Sequence, residues 1–234
     1  MMTTYLITGA SRGMGRALAL ELMRDAGVRV LGVARNKVAL RKLEELAGSE
    51  TYPGVFIAGN FDLTELDEDI FQDWLRPYLP LTGLVNNAGL LINEPFDSMD
   101  ERKWKEIFEI NLFTPVKLCK LLQNSFVRGG HIVNIGSMGG FQGSSKYNGL
   151  AAYSASKAAL TGFSECLAEE WRNKGVGVNC LAMGAVQTEM LETAFPGYEA
   201  PINDEEAADF LKWFLTKGKR FFNGKVLPVA LQNP

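Results

Sequence analysis

Short apolar runs alternate with amphipathic stretches along the chain. Seven runs of five to seven residues are rich in Val, Ile, Leu and Ala, which is typical of buried strands: 3–7, 28–33, 54–58, 82–86, 131–136, 176–182 and 226–231. The segments between them mostly carry apolar residues at helical spacing, as from Ala17 to Met23. Strands that alternate with helices build a parallel sheet with helices on both faces. The pattern therefore predicts an α/β fold, with a doubly wound parallel sheet of about seven strands flanked by helices.

The length of the chain and the absence of an internal linker in its sequence predict one domain. No Pro-rich linker or low-complexity run divides its 234 residues. Single α/β units commonly reach about 250 residues, so a chain of this length has enough residues for one full core. We therefore expect a single domain over 1–234.

Charge and cysteine content argue against several kinds of partner. The net charge is −3 and the pI is about 5.4, whereas nucleic-acid binding takes clustered Lys and Arg. Cys119, Cys166 and Cys180 lie in apolar patterns without paired spacing, so we expect reduced thiols and a cytoplasmic protein. The first strand begins near the N-terminus, and no apolar stretch reaches about 18 residues. We therefore expect neither a signal peptide nor a membrane partner.

A glycine-rich turn joins the first strand to the first helix. It reads Thr8-Gly9-Ala10-Ser11-Arg12-Gly13-Met14-Gly15. Glycines leave the backbone bare, so a pyrophosphate can approach the N-terminus of the helix. The glycines are separated by three residues and then by one, so the usual Gly-x-Gly-x-x-Gly fingerprint does not apply. The segment predicts a dinucleotide site built on a variant turn.

Tyr153 and Lys157 stand four residues apart in a predicted helix. This step places their Cα atoms about 6 Å apart along the axis with roughly 40° of rotation, so both side chains share one face. A phenol normally titrates near about pH 10, and a lysine beside it can stabilise the phenolate for proton transfer at neutral pH. Taken alone, the spacing is more typical of an exposed helix face with a solvated lysine.

Together the two segments resemble the short-chain dehydrogenase/reductase family, whose glycine turn reads Thr-Gly-x-x-x-Gly-x-Gly and whose active site carries Tyr-x-x-x-Lys. Further motifs match the family in order along the chain: Asp62-Leu63, Asn86-Asn87-Ala88-Gly89, Asn111, the strand from Ile132 to Ser137, and residues 179–188. The resemblance implies a Rossmann-type fold. It also implies an enzyme that transfers a hydride between a nicotinamide cofactor and a carbonyl or secondary alcohol.

The resemblance implies roles for individual residues. Tyr153 would donate a proton to the carbonyl oxygen, and Ser137 would donate a second hydrogen bond to the same atom. Lys157 would hold the nicotinamide ribose and favour the phenolate, while Asn111 would anchor a water that refills the proton path. The implied cofactor-binding residues are Thr8, Gly9, Ser11, Arg12, Gly13, Met14, Gly15, Arg35, Asp62, Leu63, Asn87, Ala88, Gly89, Tyr153, Lys157, Gly184, Val186 and Thr188.

The end of the second strand indicates which cofactor binds. A site for NAD would want an acid near Ala34 to accept hydrogen bonds from the ribose 2′-hydroxyl, and this sequence has Arg35 there instead. Arg35 can bind a 2′-phosphate through its guanidinium group, and Arg12 in the glycine turn can bind the same phosphate from the other side. We therefore predict NADP as the cofactor.

Three features depart from the family pattern. Met183 replaces a proline, which frees the backbone and puts a flexible thioether at the pocket wall. Ser137 and Tyr153 are sixteen residues apart where the family more often has thirteen, so we expect the Gly-rich stretch 139–149 to bulge over the substrate. The final strand lacks the usual Asp-Gly-Gly after it, so the resemblance does not extend to oligomer contacts made by that tail.

Apolar residues around these motifs predict a pocket for a small carbonyl substrate. They are Leu90, Leu91, Met138, Phe141, Met183, Met190, Leu191, Phe195 and Tyr198. The same residues fit an ordinary core equally well. The predicted substrate loop, 189–204, is short, which suits a small or open-ended substrate. A 3-oxoacyl thioester, a sugar or sterol ketone and a pterin-like ketone all remain alternatives.

By resemblance we also expect a homodimer or homotetramer that packs through the helix at about 150–174. Small residues on that helix would allow close approach, although packing against its own sheet explains them as well: Ala158, Ala159, Gly162 and Ala168.

Two other classes of protein fit the sequence less well. A hydrolase with Ser137 as nucleophile would need a base, but His131, the only histidine, lies about 20 Å away along the same strand and is expected at a loop or strand start. One histidine and three scattered cysteines likewise offer no zinc spacing, so we expect no metal. A catalytically silent NADP-binding sensor is the remaining alternative. Retention of all four catalytic residues counts against it, and a cofactor-oxidation assay would discriminate.

Overall fold

The computed structural model describes residues 2–231, in which nine strands and eight α-helices follow one another along the chain. The strands are β1 (Thr3–Thr8), β2 (Val28–Ala34), β3 (Val55–Asn60), β4 (Leu81–Asn86), β5 (Phe126–Ser137), β6 (Gly177–Met183), β7 (Val186–Gln187), β8 (Ile202–Asn203) and β9 (Val226–Val229). The helices are α1 (Gly13–Met23), α2 (Lys37–Leu46), α3 (Glu68–Leu75), α4 (Glu101–Phe108), α5 (Thr114–Leu121), α6 (Ala151–Glu170), α7 (Glu189–Ala194) and α8 (Asp204–Lys217). A π-helical turn, Glu109–Phe113, joins α4 to α5.

Seven strands form one parallel sheet in the order β3-β2-β1-β4-β5-β6-β9, and β7 pairs with β8 beside it. The chain runs outward from β1 to β3 and then returns to place β4 on the other side of β1. Parallel strands end at the same edge of a sheet, and open α/β sheets bind ligands where the strand order reverses. The predicted doubly wound, Rossmann-type parallel sheet is confirmed, and its crevice lies beyond the ends of β1 and β4.

Both faces of the sheet are buried, which explains why the strands read as nearly unbroken apolar runs. Successive residues of β1 point to opposite faces, so Leu6 and Ile7 belong to different core clusters. α1 and α8 cover the face of Ile7, where Leu18 and Phe214 are fully buried. α3, α5 and α6 cover the face of Leu6, where Phe71 is fully buried. Each such side chain contributes about 1.5–3 kcal/mol through burial.

The structure corrects the sequence prediction at three places. β5 begins at Phe126, five residues before its predicted start, and its register against β4 shifts between Leu81 and Gly83. β7 and β8 are two residues each, too short to leave a periodic signal. His131, expected at a loop or strand start, lies inside β5 and is buried. Among residues 2–231, no helix is both long and apolar enough to cross a membrane.

His131 is a neutral ring that links β5 to α8 and to β6. Its Nδ1 lies 3.0 Å from the Leu215 carbonyl oxygen and its Nε2 lies 2.9 Å from Nδ2 of Asn179. An amide NH₂ donates, so Nε2 must accept and Nδ1–H must donate. The Asn179 amide also donates to the Phe222 carbonyl oxygen and accepts from the Lys225 N–H, which attaches β9 to β6. Burial lowers the pKa of His131 to about 4, and the charge of Lys219 acts in the same direction.

The buried His131 should make the fold sensitive to acid. Its pKa in the folded chain, about 4, lies below the ordinary 6.5, so the unfolded chain takes up the proton first as the pH falls. The contribution of the neutral His131 ring to the free energy of unfolding is fully present above about pH 6.5. About 3 kcal/mol of this contribution should be lost as the pH falls to about 4.

Because His131 is the only histidine, the Hε1 proton of its ring gives a single NMR signal of that type in untagged protein. We expect that signal to stay constant from neutral pH to about pH 5 while the free energy of unfolding declines. A ring that titrates near the ordinary value in the folded protein would contradict this prediction.

Candidate active site

A groove of about 1090 Å³ runs along the crevice at the ends of β1 and β4. Most residues predicted from the sequence line it: Gly9, Ser11, Arg12, Gly13, Met14, Arg35, Asp62, Leu63, Asn87, Ala88, Gly89, Ser137, Tyr153, Lys157, Gly184, Val186 and Thr188. Thr8, Gly15 and Asn111 are instead buried beneath its surface. Phe141 is not among the residues that line the groove, but the other apolar residues of the predicted pocket are: Leu90, Leu91, Met138, Met183, Met190, Leu191, Phe195 and Tyr198.

The glycine turn needs its glycines for two different reasons. Gly9 and Gly13 have φ angles of 69° and 50°, a left-handed conformation that other residues rarely adopt. Gly15 has an ordinary backbone but no room, because a Cβ there would overlap Nδ2 of Asn87 and the carbonyl oxygen of Gly9. The turn is therefore held close to the segment that follows β4, and its bare backbone faces the groove.

Thr8 and Asn87 tie the end of β1 to the end of β4. The Thr8 hydroxyl oxygen accepts hydrogen bonds from the N–H groups of Asn87 at 3.0 Å and Ala88 at 2.9 Å. In return, Nδ2 of Asn87 donates to the carbonyl oxygens of Thr8 at 2.9 Å and Gly9 at 3.3 Å. These two predicted cofactor residues thus build the floor of the groove at the point where the strand order reverses.

One end of the groove carries exposed arginines beside carboxylates. Nη1 of Arg35 lies 3.7 Å from Oδ2 of Asp62, and Nη1 of Arg12 lies 3.3 Å from Oε2 of Glu189. Partial burial would raise the pKa of Asp62, but hydrogen bonds from Thr64 and the charge of Arg35 outweigh it and lower that pKa. This end can therefore exchange its ion pairs for another anion.

Asn60 supports this end and was not singled out from the sequence. Its Nδ2 donates to the carbonyl oxygens of Ala34 at 3.1 Å and Arg35 at 2.8 Å. These bonds hold the turn after β2 and so position the Arg35 backbone. The signal that the sequence offered is its place just beyond the third predicted strand, 54–58, and the structure then pairs it with Ala34.

The other end brings Ser137, Tyr153 and Lys157 together. Ser137 ends β5, and its hydroxyl oxygen accepts the N–H of Gly139 at 3.1 Å, so its own O–H remains free to donate. Tyr153 and Lys157 lie one turn apart on α6, as their spacing predicts. Nζ of Lys157 donates to the Ile135 carbonyl oxygen at 2.7 Å and lies 5.9 Å from the centroid of the Tyr153 ring.

Burial sets the protonation of these groups. The pKa of Tyr153 is raised by burial, and hydrogen bonding with Ser137 only partly opposes this shift. Burial also lowers the pKa of Lys157 to about 8. The sequence predicts that Lys157 lowers the pKa of Tyr153, but the net shift is upward, because burial outweighs the hydrogen bond with Ser137. Nζ of Lys157 is directed to the Ile135 carbonyl oxygen, and it is buried away from the water that stabilises charge.

Asn111 acts through the segment that follows β4. It lies fully buried in the π-helical turn, where its Oδ1 accepts the N–H of Leu90 at 2.8 Å. Its Nδ2 donates to the Leu90 carbonyl oxygen at 2.9 Å and to the Ser156 hydroxyl at 3.0 Å. Ser156 in turn donates to the Tyr153 carbonyl oxygen at 2.7 Å. Asn111 therefore couples the groove wall to α6, and its role as a water anchor stays a prediction.

A buried chain of polar side chains beneath the groove was missed. Nδ2 of Asn86 donates to Oδ1 of Asn134 at 2.7 Å, and Nδ2 of Asn134 donates to the Ser164 hydroxyl at 2.8 Å. These two hydrogen bonds link β4 to β5 and β5 to α6. A signal was present for Asn86 and Asn134, because they are polar positions in predicted strands that are otherwise apolar.

The substrate side of the groove is crossed by the segment after Ile92. Nδ2 of Asn93 donates to the Ala194 carbonyl oxygen at the end of α7, at 2.9 Å. The next N–H, of Glu94, donates to the Gly149 carbonyl oxygen at 3.0 Å. These two bonds join the loop before α6 to the substrate loop.

Replacing Asn111 should destabilise the fold more than replacing its partner. Asn111→Ala leaves the N–H and carbonyl oxygen of Leu90 without partners and should lower the free energy of unfolding by about 2 kcal/mol. Ser156→Ala removes one acceptor while Asn111 keeps Leu90, so we expect a loss of about 1 kcal/mol. Urea unfolding measures both. Equal losses for the two variants would show that the Leu90 bonds do not carry the effect.

Comparison with known proteins matches this geometry. The family model for short chain dehydrogenases matches residues 3–199. The chain is 32% identical over 203 residues to a 3-oxoacyl-[acyl-carrier-protein] reductase of Vibrio cholerae, covering 86% of this chain and 77% of that protein. It is 32% identical over 188 residues to an L-xylulose reductase of Caenorhabditis elegans, covering 79% of this chain and 72% of that protein.

A solved structure extends the likeness over nearly the whole chain. A short chain dehydrogenase of Escherichia coli CFT073, complexed with NADPH, has a TM-score of 0.82 and 28% identity, covering 97% of this chain and 95% of that one. The family pattern runs from β1 to just beyond α7, and its motifs meet in one groove at the reversal of the strand order. The chain therefore belongs to the short chain dehydrogenase family of oxidoreductases, which bind a nicotinamide cofactor.

Proposed function

We propose that this protein is an NADP-dependent carbonyl reductase that converts a 3-oxoacyl thioester or another small ketone to a secondary alcohol. One observation carries the proposal. Ser137, Tyr153 and Lys157 line the same groove as the glycine turn. The groove thus offers two hydroxyl donors for a carbonyl oxygen beside a surface that suits a dinucleotide.

The glycine turn fits the cofactor. Gly9, Gly13 and Gly15 leave backbone where any Cβ would be strained or would overlap its neighbours, so a pyrophosphate can approach the start of α1. Lys157 would hold the nicotinamide ribose, and Arg12 and Arg35 would hold the adenosine end. When bound, the cofactor supplies the hydride.

The protein's own residues handle the proton and the developing charge. A phenol is protonated at neutral pH even at its ordinary pKa of about 10, and burial raises the pKa of Tyr153 further, so Tyr153 has a proton to donate to the carbonyl oxygen. Ser137 donates a second hydrogen bond, because its oxygen accepts the Gly139 N–H through one lone pair and its O–H is left to donate. Lys157, with a pKa of about 8, is mostly protonated at neutral pH and places a positive charge beside the reacting groups.

Several observations support NADP over NAD. The position after Ala34 is Arg35, and both Arg35 and Arg12 are exposed on the groove. Two guanidinium groups provide the paired donors that a phosphate dianion favours. The related Escherichia coli protein was solved with NADPH.

The lining of the groove supports an acyl substrate. Its wall on the substrate side is formed by apolar side chains, among them Met138, Met183, Leu191 and Phe195. Of the two relatives, one is named for a 3-oxoacyl group and the other for the sugar L-xylulose. An apolar wall favours the acyl group, because a sugar would leave several hydroxyl groups without partners.

Tyr153→Phe tests the chemistry. It keeps the ring and removes the proton, so the rate of NADPH-dependent ketone reduction should fall about 10²- to 10⁴-fold. Tyr52→Phe is the matched control, because Tyr52 packs near Arg24 and should keep the wild-type rate. A Tyr153→Phe enzyme as fast as wild type would rule out the assignment.

Arg35→Ala tests the cofactor. We expect NADPH to bind about 10- to 100-fold more weakly, since a charge-assisted contact with the phosphate is lost, while NADH binding stays unchanged. Arg41→Ala, an exposed arginine on α2, controls for general charge. Wild-type protein that binds NADH as tightly as NADPH would defeat the NADP assignment.

A further inference from the structure

Arg12, proposed above to hold the 2′-phosphate, already has a carboxylate partner in this structure. Its Nη1 lies 3.3 Å from Oε2 of Glu189, the first residue of α7, and the two side chains are 59% and 69% exposed. The residues are 177 positions apart in the chain. They meet because the glycine turn packs against the start of α7, where a Cβ on Gly13 would lie 3.3 Å from Cγ2 of Thr188.

The second arginine is held differently. Nη1 of Arg35 is 3.7 Å from Oδ2 of Asp62, a longer contact. Oδ1 of Asp62 accepts hydrogen bonds from the N–H and the hydroxyl of Thr64 at 3.0 and 2.8 Å, so this carboxylate is fixed. Arg35 can therefore turn to another anion while Asp62 keeps its partners. Glu189 is more exposed and can follow Arg12 as it moves.

We infer that Glu189 is a specificity-determining residue that competes with the 2′-phosphate of NADP for Arg12. The inference rests on the proposed NADP-dependent function. NAD carries a hydroxyl at this position, so its binding does not require Arg12 to leave Glu189. Glu189 therefore weakens the binding of NADP and NADPH but not that of NAD and NADH. It thus reduces the preference of the enzyme for the phosphorylated cofactors.

The size of the effect follows from the exposure of the pair. Exposed ion pairs are weak, so removal of the competing charge should tighten NADPH binding about two- to fivefold. Salt screens exposed charges, so the gain should shrink as ionic strength rises.

Glu189→Gln is the test, because it keeps the shape of the side chain and removes its charge. Glu192→Gln is the matched control, because it removes the same charge one turn along α7. Oε1 of Glu192 accepts the N–H of Gly197 and does not contact Arg12. Dissociation constants for NADPH and NADH are measured by titration for wild type and both variants. We expect tighter NADPH and unchanged NADH binding for Glu189→Gln, and neither change for Glu192→Gln.

Repeating the substitution in an Arg12→Gln background tests whether Arg12 carries the effect. The Arg12 side chain gives α1 no capping hydrogen bond within the described residues, so its loss leaves the helix start intact. In this background we expect Glu189→Gln to leave NADPH affinity unchanged. With Arg12 present, 2′,5′-ADP, which carries the phosphate but no nicotinamide, should show the same gain as NADPH.

Four results would overturn the inference: a gain that persists without Arg12, an equal gain for NADH, an equal gain from Glu192→Gln, or no gain with NADPH or 2′,5′-ADP. Each leaves the wild-type preference for NADPH in place. Failure of the proposed function is a different result, in which wild-type protein binds NADH at least as tightly as NADPH.

Discussion

The hydrogen bonds between Thr8 and Asn87 are the constraint on which the groove depends. β1 and β4 are neighbours in the sheet although their last residues, Thr8 and Asn86, are 78 positions apart in the chain, because the strand order reverses between them. The Thr8 hydroxyl and the Asn87 amide join the two ends through backbone groups on each side. The same amide occupies the space that a side chain on Gly15 would need. The floor of the site and the closeness of the glycine turn thus come from one set of contacts.

Buried amide side chains also join separate segments at the other end of the groove, where Ser137, Tyr153 and Lys157 lie. Asn111 binds both backbone groups of Leu90, and Asn134 links Asn86 to Ser164. A buried amide whose donor and acceptor both have partners, as in Asn111 and Asn134, is costly to disturb, so it fixes the position of the segments that it joins. The reacting groups are then held by elements that cannot easily shift. Burial also has an electrostatic consequence, since it raises the pKa of Tyr153 and so favours the protonated phenol.

The end of the groove that carries Arg12 and Arg35, which we propose holds the adenosine, follows the opposite rule. Its charged side chains are exposed and paired loosely, at 3.3 Å for Arg12 with Glu189 and 3.7 Å for Arg35 with Asp62. Such pairs exchange partners at little cost. A rigid catalytic end and an adaptable recognition end therefore share one groove. The first is built from buried hydrogen bonds and the second from solvated charges.

The sequence by itself determined the sheet, the glycine turn and the shared helix face of Tyr153 and Lys157, because strand and helix periods are local properties of the chain. It missed the early start of β5, where Arg128 and two glycines interrupt the apolar pattern. Only the tertiary structure decided the direction of the Tyr153 pKa shift, the clamp of Asn111 on Leu90, and the contact of Arg12 with Glu189. These depend on burial and on contacts between residues far apart in the chain, which no local period encodes.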